Sequence, residues 1–414
     1  MQDFYYSVPT KVYFGKGVAG KAGELARQYG TKAMILHYGD GVVEKIGLYD
    51  TVVESLKENG VDFVELKGIL PNPRITKIDE GVAICKKEDV KVLIPLGGGS
   101  CIDTAKAIAS CVHYDGPAWD VVLDSSLAKD NLPVIAIPTL AATGSDMDSD
   151  AMVCNEATND KMSLNIPEQF PVYSLSDPTY TCTVPRRQTA AGTADIMSHI
   201  MEVYFSKTPG AFFSDRIMEA MLKTCVKYGT IACCEDPSNY EARANLLWAA
   251  SWGCNGFFDC GKIGRRWSVH PMEHQLGAYY DETHGIGIAI LTPHWMRYIL
   301  NEDTKDMFAT FGINVLGLSA EGDTMSVSYT HLDVYKRQVK GRRIYDKLES
   351  QKKLAEAEQK IASEIKMLRR EQPFRDIPWK RTLISKAEDF YKGWEMEYEN
   401  YSNCTNCAEK KILV

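Results

Sequence analysis

No apolar run among the 414 residues approaches the roughly 20 that a bilayer-spanning helix needs. The opening stretch MQDFYYSVPTKVYFGKG also lacks the succession of charged, apolar and small residues that marks a secretory signal. A cytoplasmic protein without membrane association is therefore expected. Basic charge is in deficit: 47 Lys and Arg stand against 55 Asp and Glu, a formal charge of -8. General affinity for nucleic acid is thus not expected, and a small molecule is the simpler partner. A disulfide framework is missing as well, because the 12 cysteines are scattered along a long chain, as befits reduced thiols. The one metal-like spacing among them, Cys404 with Cys407, has no second Cys or His pair nearby to complete a tetrahedral zinc site.

What is present is a 45% hydrophobic chain long enough for two packed domains. Early in the chain short aliphatic runs alternate with amphipathic stretches, the pattern of a mostly parallel sheet covered by helices. Strands are expected at Ala33 to Leu36, Phe63 to Leu66, Val92 to Leu96 and Val134 to Ile137. Helices are expected over Gly20 to Tyr29, Val43 to Asn59, Lys77 to Lys87 and Asp103 to Ser110. After Pro185 strand signals fade, and helical periodicity holds over Thr189 to Phe205, Ser214 to Tyr228 and Ala242 to Trp252. The expected fold class is an α/β nucleotide-binding domain over 1–184, followed by an all-α domain over 185–326. A Lys-, Arg- and Glu-rich tail over 339–414 reads as an unrelated charged helix. Between them Val327 to Gln338, VSYTHLDVYKRQ, can be encoded by self-complementary DNA and resembles a translated pair of transposon ends. An artefactual junction of two reading frames is expected there, which would leave the helical domain incomplete.

Gly-rich turns follow several of the expected strands. PLGGGSCIDTAK places Gly97, Gly98, Gly99 and Ser100 between a strand and a helix start, where backbone amides can approach a pyrophosphate and the helix terminus favours negative charge. PTLAATGSDMD, again after a strand, supplies small hydroxyl residues. Two such loops at successive strand ends suggest a cofactor cleft. HYGDGV puts Asp40 in a third strand-end turn, where a carboxylate would accept hydrogen bonds from a ribose and repel a 2′-phosphate, favouring NAD(H) over NADP(H).

Half of the eight histidines fall in two segments. In TAAGTADIMSHIMEVY, Asp195 and His199 are one helical turn apart on a single face. WSVHPMEHQLGAYYDETHGIG offers His270, His274 and His284. Three imidazoles with one carboxylate suit Fe(II) or Zn(II) and leave a coordination position open.

With these motifs in order, the chain resembles the iron-containing, group III alcohol dehydrogenases, most closely the butanol dehydrogenase-like branch, over about residues 4–317. PNPR at Pro71 to Arg74, GGGSxxDxAK at Gly97 to Lys106, TLAATGS at Thr139 to Ser145, SDP at Ser176 to Pro178, DxxxH at Asp195 to His199 and the histidines of His270 to Gly285 carry the resemblance. It implies hydride transfer between a nicotinamide cofactor and a primary alcohol or aldehyde such as butanol or butyraldehyde, in a homodimeric parent enzyme. It also implies Asp195, His199, His270 and His284 as metal ligands and His274 as a proton carrier. Gly98, Gly99 and Ser100 are implied at the pyrophosphate, with Asp103, Thr139, Thr143 and Lys161 near the nicotinamide end, Asp103 also standing beside His274 as a catalytic candidate. Asp146 stands where the family carries glutamate, and Asp40 and Val42 replace residues of its frequent Gly-Gly-Gly-Ser. Two alternatives remain open at this stage: a catalytically inert chimeric chain, or a metal-dependent lyase or hydrolase on a related scaffold.

Overall fold

The computed structural model describes residues 1–206, 208–263 and 267–318. The expected junction at 327–338, the charged tail at 339–414 and the Cys404 and Cys407 spacing lie outside the described residues. No helix among the described residues is long and apolar enough to cross a membrane.

The α/β part carries β1 (Lys11–Phe14), β2 (Lys32–Leu36), β3 (Asp62–Leu66), β4 (Val92–Gly97), β5 (Ile135–Pro138), β6 (Asp150–Asn155), β7 (Asp160–Asn165) and β8 (Tyr173–Ser176). Six of these pair in parallel in the order β1-β8-β5-β4-β2-β3, and β6 with β7 forms a separate antiparallel hairpin. β4 is buried throughout, as its near-continuous apolar run VLIPLG demands of a central strand covered on both faces. Helices α1 (Ala22–Arg27), α2 (Val42–Lys45), α3 (Leu48–Glu58), α4 (Ile75–Glu88), α5 (Gly99–Cys111) and α6 (Ala118–Leu123) accompany the sheet. Its two faces bury separate apolar clusters, one holding Leu25, Val52 and Leu56, the other Ile78, Ile108 and Val121.

Each of the four expected strands is present, with ends displaced by a residue or so. The expected helix from Val43 to Asn59 is two, because Gly47 adopts φ 74° and interrupts it. β1, β8 and the hairpin were not expected. β1 is a short, partly exposed edge, and β8 buries two serines, so neither shows an apolar run.

From β3 on one side of β2 the chain returns to form β4 on its other side, so the crevice beyond the carboxyl ends of β2 and β4 is the switch point where such sheets bind ligands. Both HYGDGV and GGGS lie there.

The remainder of the described chain is helical: α7 (Arg186–Tyr204), α8 (Phe212–Thr230), α9 (Tyr240–Gly253), α10 (Val269–Tyr280), α11 (His284–Ile299) and α12 (Lys305–Leu316). Its register against the sheet is set by backbone contact. A Cβ on Gly192 of α7 would lie 2.2 Å from the Ala141 carbonyl oxygen in the loop after β5. Gly192→Ala is therefore expected to cost about 1–3 kcal/mol, the usual range for overpacking. A urea midpoint equal to that of the parent would show that the two backbones can separate freely.

Candidate metal centre and cofactor cleft

α7 presents Asp195 and His199 on one buried face, α10 begins with Val269 and His270, and α11 begins with His284. The Asp195 Oδ1 lies 3.7 Å from Nε2 of His199, 3.7 Å from Nε2 of His270 and 3.3 Å from Nε2 of His284. A tetrahedral ion with ligand distances of about 2.1 Å separates its ligands by about 3.4 Å, so the spacing is that of a shared cation. Asp195 Oδ1 and His270 Nε2 are buried and accept or donate no hydrogen bond. Buried polar atoms are rarely left so, and an ion between them satisfies both. Burial pushes the Asp195 carboxyl up, but His199, His284 and His270 outweigh it and hold the group well below its usual range. His284, which burial alone would lower, is raised to about 9 by Asp195 and Glu273.

The apposition depends on a missing side chain. A Cβ on Gly285, next to His284, would sit 2.2 Å from the Ala191 carbonyl oxygen, so only glycine lets α11 begin against α7. Two carboxylates stand behind the imidazoles. Glu202, on the same face of α7 as Asp195 and His199, accepts from the backbone N–H groups of Ser268, Val269 (3.1 Å) and His270 (3.3 Å) and pairs with His270 Nδ1. It thereby caps α10 while orienting its first histidine. Glu273 pairs with His284 Nδ1 and with Lys161, 3.3 Å away. The sequence reading passed over both, although Glu202 sits one further turn along from His199, a spacing that would have shown it.

His274 lies beside this cluster, its ring 5.8 Å from that of His284. Burial, then Lys161, His284 and His270, hold its imidazole well below 6.5, so it is uncharged at neutral pH.

In the cleft, α5 starts directly after Gly98 and points its N-terminus at the switch point. The Gly98 N–H already donates to the Tyr38 hydroxyl at 3.1 Å, which leaves Gly99 and Ser100 as the amides free to turn to a phosphate. A Cβ on Gly99 would lie 2.5 Å from Thr143 Oγ1, so the two glycine-rich loops touch. Thr139 is buried, and its N–H is fixed by the Gly97 carbonyl at 3.0 Å. Asp40 is exposed at the tip of β2 and accepts from the Val42 N–H at 3.0 Å. Asp103 is buried, with its oxygens taken by the Ser145 hydroxyl (2.5 Å) and the Met152 N–H (3.1 Å). Asp146 reaches the hydroxyls of Ser174 (2.7 Å) and Ser251 (2.9 Å), joining β8 to α9.

The family described as iron-containing alcohol dehydrogenase matches residues 9–178, and its C-terminal counterpart matches 189–367, a span that runs past the described residues. NADH-dependent butanol dehydrogenase B of Clostridium acetobutylicum is 51% identical over 329 residues, 80% of this chain and 84% of that protein. The chain belongs to the iron-containing alcohol dehydrogenase family. A probable NADH-dependent butanol dehydrogenase of Bacillus subtilis is 40% identical over 78% of this chain and 83% of its own length. The crystal structure of NADH-dependent butanol dehydrogenase A from Thermotoga maritima superposes with a TM-score of 0.78 at 36% identity, covering 83% of this chain and 85% of that one.

Family membership makes the chain an oxidoreductase of the alcohol dehydrogenase type. For Glu202, removal of the carboxylate frees three backbone donors and one imidazole. Glu202→Ala is expected to lose roughly 1.5–3 kcal/mol of stability and about 10–100-fold in metal affinity. Unfolding curves and metal analysis of the dialysed protein measure both, and a variant that keeps its metal would remove Glu202 from the site.

Proposed function

We propose that this chain interconverts a primary alcohol of about butanol size and its aldehyde, using NAD(H) in preference to NADP(H) and a divalent ion, Fe(II) or Zn(II), held by Asp195, His199, His270 and His284. The observation that carries the reading is the convergence of three imidazole nitrogens on a buried Asp195 oxygen with no hydrogen bond. A cytoplasmic homodimer acting on a small molecule, without nucleic acid or membrane partners, completes the proposal. Cysteines scattered along a long chain suit a reducing compartment.

When bound, the ion supplies Lewis acidity at the substrate oxygen and the nicotinamide exchanges hydride with the neighbouring carbon. The chain's own part is placement. Gly99, Ser100 and the start of α5 receive the pyrophosphate, with Gly97, Gly98, Thr139 and Thr143 forming the wall around it. Asp103 enters as a positioning residue, since one of its oxygens holds Ser145 in the loop that carries Thr143 and the other holds the Met152 N–H of β6. Lys161 stands between Asn72 and Glu273, the carboxylate that meets His284. His274, uncharged, is the base that accepts the hydroxyl proton in the oxidation direction.

Preference for NADH rests on Asp40, whose carboxylate favours a ribose diol over a phosphate. Four relatives are named NADH-dependent butanol dehydrogenase, two of them as probable, while an NADPH-dependent aldehyde reductase of Escherichia coli is 33% identical.

The test is NADH oxidation by the Fe(II)- or Zn(II)-loaded chain with butyraldehyde, run beside NADPH. Turnover that is faster with NADH is expected, and a soluble, metal-loaded protein that turns over neither cofactor would sink the proposal. Removing the charge at Asp40, worth about 1 kcal/mol for an exposed pair at 4 Å, should raise kcat/KM for NADPH about fivefold in Asp40→Ser. His274→Ala should lower turnover while leaving metal content unchanged; unaltered turnover would exclude the proton-transfer role.

A further inference from the structure

Among the described residues one continuous hydrogen-bonded path leads from the α/β part into the metal ligands. It begins at the PNPR turn before α4, where Arg74 Nη2 (2.7 Å) and Asn72 Nδ2 (2.9 Å) both donate to Asp281 Oδ1, at the left-handed residue that ends α10. The Asn72 Oδ1 accepts from Lys161 Nζ of β7 at 3.1 Å, and the same ammonium lies 3.3 Å from Glu273 Oε2 of α10. That oxygen in turn meets His284 Nδ1, whose other nitrogen faces Asp195.

From this path we infer that Glu273 is a positioning residue for the metal ligand His284, and that Lys161 and Asn72 set its place from the α/β part. The inference rests on the metal reading proposed above.

The chemistry favours this arrangement over a simple strut between two parts of the fold. A carboxylate on Nδ1 keeps the imidazole proton there, which leaves the Nε2 lone pair for the ion and fixes the ring's orientation. Glu273 and Lys161 are both buried, at 0% and 8% exposure, and a buried ion pair is a poor source of stability in itself. Room for the pair is also specifically kept. A Cβ on Gly277 would lie 2.8 Å from Lys161 Nζ, and one on Gly287 would lie 2.8 Å from Glu273 Cγ. Two helices thus give up side chains where the pair passes between them.

The path deepens the role of two motifs. PNPR, otherwise a loop far from the ligands in sequence, holds the far end of the chain of contacts. Lys161 links the PNPR turn to Glu273, so that the position of β7 is felt at His284.

The experiment uses the full chain and Co(II), with no turnover measured. Affinity is read by competition with a chromogenic chelator, and ligand geometry by the visible absorption of the bound ion. Glu273→Gln keeps the shape but not the charge, and should weaken Co(II) binding about 10–100-fold and alter the spectrum, with circular dichroism unchanged. Lys161→Gln should weaken it several-fold in the parent and add nothing in the Glu273→Gln background. Parent-like affinity and spectrum in Glu273→Gln would overturn the inference while leaving the metal reading intact. Independent, multiplying losses from Lys161→Gln and Glu273→Gln would overturn the link to the α/β part. If Glu273→Gln fails to fold, Glu273→Asp carries the test: its carboxylate falls short of His284, and undiminished affinity would overturn the role. A parent chain that binds no Co(II) would overturn the metal reading and the inference together.

Discussion

Asp195 puts a carboxylate where almost no water reaches it, 1% exposed, with one oxygen that no protein donor satisfies. A charge in such a place is costly unless opposite charge and hydrogen-bond partners surround it. Three imidazoles within 3.7 Å supply the surroundings, and the divalent cation proposed among them would complete the balance. The helical part follows from that demand. α10 and α11 must deliver their first residues to the middle of α7, which requires Gly285 at the closest backbone contact and Glu202 to gather the unpaired amides at the start of α10.

The cofactor side obeys a different constraint, the strand order of the parallel sheet. Because β4 returns on the opposite side of β2 from β3, the loops after these strands diverge and leave a crevice. Small residues line it for the same reason that Gly192 and Gly285 occur in the helical part: backbone must come close to something. In the crevice one partner is a second loop, since Gly99 abuts Thr143, and one amide is already engaged by the Tyr38 hydroxyl. Asp146 shows how a shortened side chain is accommodated, for it bridges two serines that lie close enough for aspartate to span.

Much of the fold could be read directly. The apolar runs of β2, β4 and β5 are long enough to announce themselves, and the helical stretches from Thr189 onward carry a clear period. β8 could not be read so, because its serines serve Asp146 rather than the sheet face, and β1 is too short and exposed to differ from a loop. Among site residues, Asp195 and His199 were legible because helix geometry puts them on one face. Glu202 belongs to that same face and was overlooked, whereas Glu273 had no local signal. Its importance comes from Lys161, 112 positions away in the chain.

The sequence alone determined which chemistry is available: a small set of histidines gathered in two segments, glycine-rich strand ends, and motifs in the order that an iron-containing alcohol dehydrogenase requires. Those are properties of residue type and short spacing, which the local backbone turns into faces and turns. Only the tertiary structure decided how His270 and His284 meet Asp195, which amides of the cleft are still free, that Asp103 of α5 ties the Ser145 loop to β6, and that PNPR reaches His284 through Asn72, Lys161 and Glu273. Such contacts depend on packing between distant segments at distances set to a few tenths of an ångström, and no local pattern encodes them.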